Sequence, residues 1–293
     1  MDTGTKIGLG KVLYATDLSD ESAQAASYVR GFQQAYQAEV SVVHVLDVFP
    51  YSVNPDAVDT KRIAEIRERG NTRVHQFMLA CGFREGEFKP VVLTGEVSVA
   101  IDQFAREEQM DLILLGSHGR LGIDRLFQGS MAEEIFRTAR CPVMVVGPEA
   151  RPSSRSFNRL LFSTDLSPIT QSALPYIEFM LRENGEAKVS LAHFVEQAPE
   201  TPYERHKTRR RFGEALTNLV DPALRGRIDD VAVEFSEPAE GMISMARGLG
   251  AELLFLAVRQ GGAWTRASTH GLASITHQVI SRSPCPVLTV RGS

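Results

Sequence analysis

The sequence Asp111-Leu-Ile-Leu-Leu-Gly116-Ser-His118-Gly119 opens the part of the chain on which the prediction of its fold depends. Leu112 to Leu115 form a short, continuous apolar run that ends in glycine, which predicts a strand buried on both faces. Gly116 and Gly119 follow where a loop would leave that strand. Because glycine has no Cβ and tolerates positive φ, both positions allow another group to approach the backbone closely.

A second pair of small residues, Gly129-Ser130, comes after a nine-residue loop and precedes a helical pattern. Met131, Ile135 and Ala139 recur at helical spacing, so Ser130 is predicted to be an N-cap or first-turn residue. The start of a helix presents free backbone N–H groups and a partial positive charge, and both favour an anion. Strand, two glycines, loop, Gly-Ser and helix together predict a site for phosphate groups.

The spacing Gly116-x2-Gly119-x9-Gly129-Ser130 resembles, without a gap, the ATP-binding signature of the universal stress protein family. A glycine-rich loop alone would be weak evidence, because most such loops are turns with no ligand. The resemblance implies ATP as the ligand, with Mg²⁺ as an accompanying ion. AMP, ADP and cyclic AMP stay open as alternatives, because the motif indicates phosphate better than it counts phosphates.

The composition is that of a globular protein with one large domain or two of ordinary size: 293 residues, 43% of them hydrophobic and 23% charged. A net charge of −4 gives no indication of a nucleic-acid partner. No apolar run approaches the length of a membrane span, and the first residues do not form a secretory signal. Three widely separated cysteines, Cys81, Cys141 and Cys285, indicate neither a disulfide framework nor a metal cluster. We therefore expect a cytoplasmic protein with no membrane partner.

The chain contains the same pattern twice. Lys11-Val-Leu-Tyr-Ala-Thr-Asp-Leu-Ser19 returns as Arg159-Leu-Leu-Phe-Ser-Thr-Asp-Leu-Ser167, and Cys141-Pro142 returns as Cys285-Pro286. The segment Glu39-Val-Ser-Val-Val-His44 returns as Lys188-Val-Ser-Leu-Ala-His193. Landmarks that recur in the same order predict a tandem duplication, with one domain over residues 1–148, a second over residues 158–293, and a linker from Pro148 to Asn158.

Within each half, short apolar strands alternate with helical patterns, which predicts an α/β fold with a parallel sheet and helices on both faces. In the first half, the first helix is predicted from about Ser19 to Gln37. Gly70 interrupts the second helix, predicted from about Thr60 to Cys81, as a weak point. In the second half, the first helix is predicted near Ser167 to Glu183. The resemblance implies two tandem, doubly wound, five-stranded sheets of the adenine nucleotide alpha hydrolase-like type, each with strand order 3-2-1-4-5.

The resemblance also implies that the fifth strands, Val143–Val146 and Val287–Val290, pair across a pseudo-two-fold interface. One chain would then have the arrangement of the dimer that single-domain relatives form. A homodimer of the whole chain and an unknown protein partner stay open.

In open parallel sheets, ligands bind at the carboxyl ends of the strands where the strand order reverses. With the implied order, Asp17 and the glycine motif meet at that point. The resemblance implies that Ala15, Thr16 and Asp17 contact the adenosine, that Asp17 binds ribose hydroxyls or helps to hold Mg²⁺, and that Val45 lies beside the adenine. The residues implied at the phosphates are Gly116, His118, Gly119, Gly129, Ser130 and Met131, with added charge from Arg120 and Arg125.

Structural interpretations compete with these roles. Asp17-Leu-Ser19 could simply start the following helix. His44, with its echo at His193, is typical of a packed or hydrogen-bonded structural histidine. Arg120 and Arg125 could be solvated loop charges. The basic run from Arg205 to Arg211 is flanked by glutamates, which indicates a solvated helix face rather than a nucleic-acid contact.

The second half departs from the motif. Ala257 stands opposite Gly116, Gln260 opposite Gly119, and Ala273-Ser274 opposite Gly129-Ser130. The intervening loop is three residues longer and contains the one tryptophan, Trp264. Because a side chain at Ala257 or Gln260 would narrow the space that the phosphates need, we expect the second domain to bind ATP poorly or not at all.

No serine or cysteine has an evident base and orienting partner, so no catalytic residue is assigned. The sequence favours a universal stress protein that binds ATP in its N-terminal domain and acts as a nucleotide-dependent stress-response protein. One alternative is an enzyme, either a slow ATPase or an adenylyl-transferring relative. Another is an interaction scaffold that holds no nucleotide.

Overall fold

The computed structural model describes residues 7–46, 60–116, 135, 138–151, 157–259 and 272–292. Its contacts divide the chain into two compact units. The first unit is Leu9–Val143, and the second is Met144–Ser293 together with Met1–Gly8. The strand β5 (Val143–Val146) spans the boundary between them in sequence.

Strands and helices alternate in the first unit, as the sequence predicts. They are β1 (Lys11–Ala15), α1 (Asp20–Tyr36), β2 (Glu39–Leu46), α2 (Thr60–Ala80), β3 (Lys89–Thr94), α3 (Val97–Glu107) and β4 (Leu112–Gly116). The strands pair in parallel in the order β3-β2-β1-β4. All five residues of β4 are buried, which agrees with its continuous apolar run.

The second unit repeats this alternation. Its elements are β6 (Arg159–Ser163), α4 (Leu174–Glu183), β7 (Lys188–Phe194), α5 (Pro202–Leu219), β8 (Ile228–Glu234), α6 (Pro238–Leu249), β9 (Leu253–Arg259), α7 (Leu272–Arg282) and β10 (Val287–Gly292), with 3-10 helices at Pro168–Ser172 and Pro222–Arg227. The order β8-β7-β6-β9-β10, all parallel, confirms the predicted order 3-2-1-4-5. Pairing between the two fifth strands stays a prediction.

Capping residues explain where α1 begins and ends. The Ser19 side chain accepts a hydrogen bond from the backbone N–H of Ser22, which makes Ser19 the N-cap. At the other end, Gln37 adopts the left-handed conformation, with φ of 52°, and stops the helix. The predicted helix from Ser19 to Gln37 is confirmed to within its two caps.

The helix predicted near Ser167 to Glu183 is divided in two in the structure. The chain forms the 3-10 helix Pro168–Ser172 first, and α4 begins only at Leu174. Pro175 has no backbone N–H, and its ring would clash with the carbonyl of the residue four positions earlier in a continuous helix. It is tolerated in the first turn of a new helix, so the helix restarts there.

Gly70 is not a weak point of α2 but a packing requirement. A Cβ at Gly70 would lie 2.9 Å from a methyl carbon of Val92 on β3. The buried face of α2 runs along Gly70, Val74 and Met78, which are spaced four residues apart. The missing side chain therefore lets α2 lie close to the sheet.

Candidate functional site

The carboxyl end of β1 lies between β2 and β4. Ala15 is in register with Val43 of β2 and with Leu115 of β4. Thr16 and Gly116 are thus the next residues along two neighbouring strands. Because the chain continues from β1 to one side and reaches β4 on the other, this edge is the topological switch point of the sheet. The structure brings the Thr16-Asp17 corner and the first glycine of the motif together.

Thr16 is buried, and its polar groups are bonded within the protein. Its N–H donates to Val43 O at 3.0 Å, and its carbonyl accepts from His44 Nδ1 at 2.9 Å. Its hydroxyl oxygen accepts from Leu18 N at 3.0 Å and shares a 2.8 Å hydrogen bond with the Ser22 hydroxyl. Thr16 therefore fixes the shape of the corner. The structural interpretation of His44 is confirmed.

Asp17 and Ser19 form a short local network at the start of α1. Asp17 Oδ1 accepts from Ser19 N at 3.1 Å and from the Ser19 hydroxyl at 2.6 Å. The proposed helix-start role of Asp17-Leu-Ser19 is thereby confirmed. A carboxylate has two oxygens with about four acceptor positions. The helix-start role consequently does not exclude a ligand role for the half-buried Asp17 side chain.

The corner has a nearly identical shape in the second unit. Leu18 and Leu166 both have positive φ, 63° and 60°, which is rare for a bulky side chain. Thr164 repeats the bonds of Thr16: its N–H donates to Ala192 O at 3.0 Å, and its carbonyl accepts from His193 Nδ1 at 2.8 Å. The corner alone therefore does not distinguish the unit with the glycine signature from the unit without it.

Gly116 lies against α1. A Cβ at this position would lie 3.4 Å from Ser22 Cα and 3.6 Å from Ala25 Cβ, a tight but ordinary contact. In the second unit Ser163 is in register with Leu256, so Ala257 takes the place of Gly116. A Cβ at this position would point at the helix. The expectation for Ala257 and Gln260 stays a prediction, because Gln260 lies outside the described residues.

An apolar residue lies at the same edge. Val45 is half-buried near the carboxyl end of β2, in register with Leu93 of β3. Ala15 is 2% exposed, so little of its surface is accessible to a ligand. The remaining predicted site residues lie outside the described residues: His118, Gly119, Arg120, Arg125, Gly129, Ser130 and Met131.

Sequence reasoning missed two residues of this edge, Tyr14 and Ser22. Tyr14 is fully buried on β1, and its hydroxyl donates to the backbone carbonyl of Ser22. Burial raises the pKa of Tyr14 well above its ordinary value, so the hydroxyl keeps its proton. The signal in the sequence was a hydroxyl-bearing aromatic residue in an otherwise apolar strand, where the repeat has Phe162.

The corresponding edge of the second unit is packed by side chains. Strand β9 continues to Arg259, which is in register with Gly292 of β10. Ile169 of the 3-10 helix lies against Gly292, where a Cβ would stand 2.6 Å from the Ile169 Cγ2 methyl carbon. Phe194, which takes the place of Val45, lies against Gly241 of α6.

Among the described residues, no group of three or more histidine, cysteine, aspartate or glutamate side chains could hold a metal ion. In the same part of the chain, no helix has the length and apolar character needed to cross a bilayer.

Fold and site together define a tandem α/β protein whose first half carries an aspartate and a glycine at the switch point of its sheet. The family model described as the universal stress protein family matches residues 8–147 and 156–291. The chain therefore belongs to the universal stress protein family, as a member with two tandem domains.

Relatives and solved structures agree with this assignment. Universal stress protein MJ0531 of Methanocaldococcus jannaschii is 31% identical over 137 residues, which cover 46% of this chain and 81% of that protein. A universal stress protein structure from Archaeoglobus fulgidus DSM 4304 covers 98% of both chains with a TM-score of 0.68 and 21% identity, which shows the fold. A universal stress protein in complex with cAMP covers 49% of this chain and 97% of that one, at 20% identity and a TM-score of 0.33, too low to carry an argument about this site.

Proposed function

We propose that the chain binds ATP at the switch point of its first unit and acts as a nucleotide-dependent protein of the stress response. The observation that carries the proposal is the register of Ala15 with Leu115, which places Thr16-Asp17 and Gly116 on the same sheet edge. The spacing from Gly116 to Gly129-Ser130 supports a phosphate ligand at that edge.

The chemistry of the described residues fits an adenine nucleotide. Asp17 offers carboxylate oxygens to ribose hydroxyls, and Val45 offers a half-buried apolar surface to the base. Mg²⁺ is usually bound by one or two carboxylates together with the phosphates of a nucleotide. One carboxylate at this edge is therefore sufficient for Asp17 to help hold the ion. Gly116, Gly119, Gly129 and Ser130 would contact the phosphates.

Binding would serve as a signal rather than as the start of a reaction. The nucleotide would favour one arrangement of the segment between residues 116 and 130, and a partner protein would recognise that arrangement. No general base stands out in the sequence, so we expect slow hydrolysis at most. Steady-state turnover above about 1 s⁻¹, the low end of ordinary enzymes, would favour the enzymatic alternative.

We propose one nucleotide per chain, because three features of the second unit oppose a second site. Phe194 replaces the smaller Val45 and packs on Gly241. Ile169 covers Gly292 at the end of β10. The three glycine positions of the signature are taken by Ala257, Gln260 and Ala273.

The test is isothermal titration calorimetry of ATP, ADP, AMP and cyclic AMP against the full chain, with mass spectrometry of any ligand released on denaturation. Asp17→Asn retains the oxygen that accepts from Ser19 but removes the charge, so α1 keeps its start. We expect it to weaken ATP binding about tenfold or more, the effect of losing charge-assisted hydrogen bonds. Asp165→Asn, in the matching corner of the second unit, is the control and should leave the affinity unchanged.

Two results would contradict the proposal. Two equivalent ATP sites per chain would refute the assignment to the first unit alone. Absence of binding for all four nucleotides, with no ligand released from the purified protein, would favour the scaffold.

A further inference from the structure

We infer that Tyr14 is a positioning residue for the nucleotide site, because its hydroxyl holds the first turn of α1 against the backbone of Gly116. The inference rests on the proposed function insofar as it concerns affinity. It adds a residue that makes no contact with the ligand and that the glycine signature does not include.

One residue, Ser22, connects Tyr14 to Gly116. Its carbonyl oxygen accepts the hydrogen bond from the Tyr14 hydroxyl. Its Cα is the nearest atom to the place where a Cβ of Gly116 would stand, at 3.4 Å. Ser22 is therefore hydrogen-bonded to Tyr14 of β1 through its carbonyl oxygen and contacts Gly116 of β4 through its Cα.

The second unit provides a natural comparison, because it changes all three positions. Phe162 replaces Tyr14 and is also fully buried, Thr170 replaces Ser22, and Ala257 replaces Gly116. The bond between the two hydroxyls is kept, between Thr16 and Ser22 in one unit and between Thr164 and Thr170 in the other. Phenylalanine has no hydroxyl, so Phe162 cannot donate the hydrogen bond that Tyr14 donates from the strand to the helix carbonyl.

The start of the helix also differs between the two units, where Pro175 accounts for the break in the second one. Where Tyr14 donates to Ser22 O, the chain forms an α-helix from Asp20 with a side-chain N-cap. Where Phe162 stands, the chain forms the 3-10 helix Pro168–Ser172. A buried hydroxyl needs a partner, because leaving it without one is unfavourable. The Tyr14 hydroxyl has Ser22 O as its partner while the first turn of α1 stays in place. This hydrogen bond therefore favours the position of α1 that pre-organises Gly116 at the start of the phosphate segment.

The test compares Tyr14→Phe with Tyr28→Phe in the full chain. Tyr28 is another buried tyrosine and lies on α1, about 9 Å further along the helix than Ser22. The first readout is hydrogen–deuterium exchange without nucleotide. We expect Tyr14→Phe to speed exchange both in the first turn of α1 and in Leu112–Gly116, and Tyr28→Phe to leave Leu112–Gly116 unchanged.

The second readout is ATP affinity by calorimetry, for which we expect Tyr14→Phe to weaken binding about threefold to tenfold, the effect of one hydrogen bond. Tyr28→Phe should bind ATP as the wild type does. Unchanged exchange in Leu112–Gly116 for Tyr14→Phe, or equal losses of affinity in both variants, would overturn the inference. Absence of ATP binding by the wild type would refute the proposed function, and the exchange result would still decide the role of Tyr14.

Discussion

Phe194 lies with its ring directly against the backbone of Gly241, so close that a Cβ at Gly241 would stand 2.4 Å from two ring carbons. In the first unit, Val45 of β2 takes the place of Phe194. Ala100 takes the place of Gly241, since each lies four residues after the N-cap glutamate of its helix, α3 or α6. A larger side chain on the strand is thus matched by a smaller one on the helix. In the second unit, the packing of Phe194 on Gly241 therefore fills this corner.

Gly241→Ala should therefore destabilise the protein. The added methyl would overlap the Phe194 ring and the Ser236 hydroxyl, the latter at 2.7 Å, and neither can move freely. Overpacking of this kind typically costs about 1–3 kcal/mol. The free energy of unfolding from urea denaturation measures the effect.

Gly248→Ala, in the same helix, is the matched control. No described atom lies within 4 Å of a Cβ there, so the substitution should stabilise by about 0.5–1 kcal/mol through helix propensity. Equal effects at the two positions would show that Phe194 does not pack on Gly241 as described.

Ser19→Ala should destabilise the first unit by about 1 kcal/mol, because it removes the N-cap hydrogen bond to Ser22 N. The matched substitution is Ser167→Ala, since Ser167 makes no side-chain cap bond among the described residues. Thermal unfolding followed by circular dichroism should show a loss for Ser19→Ala and almost none for Ser167→Ala. A reversed order would mean that the capping role of Ser19 is wrong.

Gly70→Ala should destabilise as well, although alanine is the better helix former. The methyl would meet Val92 at 2.9 Å, and the helix would have to move away from the sheet. Gly213→Ala in α5 is the control, because its Cβ would lie 3.9 Å from Val231 in ordinary contact. Opposite signs of the change in unfolding free energy are expected, and stabilisation at Gly70 would disprove the close packing.

Two thiols with raised pKa values, the half-buried Cys141 and the buried Cys285, should make the protein sensitive to alkali. Burial raises the pKa of Cys141 and of Cys285 to about 12, compared with about 8.5 for an exposed thiol. Because the folded state holds these protons more tightly, the stabilisation is complete below about pH 8.5 and is lost as the pH rises towards 12. Each thiol should lower the unfolding free energy by up to about 1.4 kcal/mol per pH unit in that range.

Urea denaturation between pH 8 and pH 10.5 measures this slope. Cys285→Ala removes one of the contributing groups and should have a smaller slope than the wild type. Identical slopes would mean that Cys285 ionises equally in both states.

Local pattern predicted most of the fold because each strand is a short apolar run and each helix has a clear boundary. The start of α1 followed from Ser19, and the strand order followed from the family resemblance. The break before α4 was missed because the helical spacing continues through Pro175, and only its absent N–H reveals the restart. Gly70 was misjudged because its neighbour Val92 is distant in sequence, and a propensity scale contains no such contact.

The candidate site was predictable where it depended on register. Once β1 and β4 pair, Asp17 and Gly116 must share an edge. The direction in which a side chain at Gly116 would point was not predictable, since it depends on how α1 lies on the sheet. The same applies to the hydrogen bond between Tyr14 and Ser22, whose partners are eight residues apart with a tight corner between them.

The left-handed leucines, Leu18 and Leu166, differ by only three degrees in φ although one unit has the glycine signature and the other does not. The chain thus adopts the same bend in the unit with the glycine signature and in the unit without it. The bend is therefore a property of the fold that both units share, and it is not by itself a sign of a bound nucleotide.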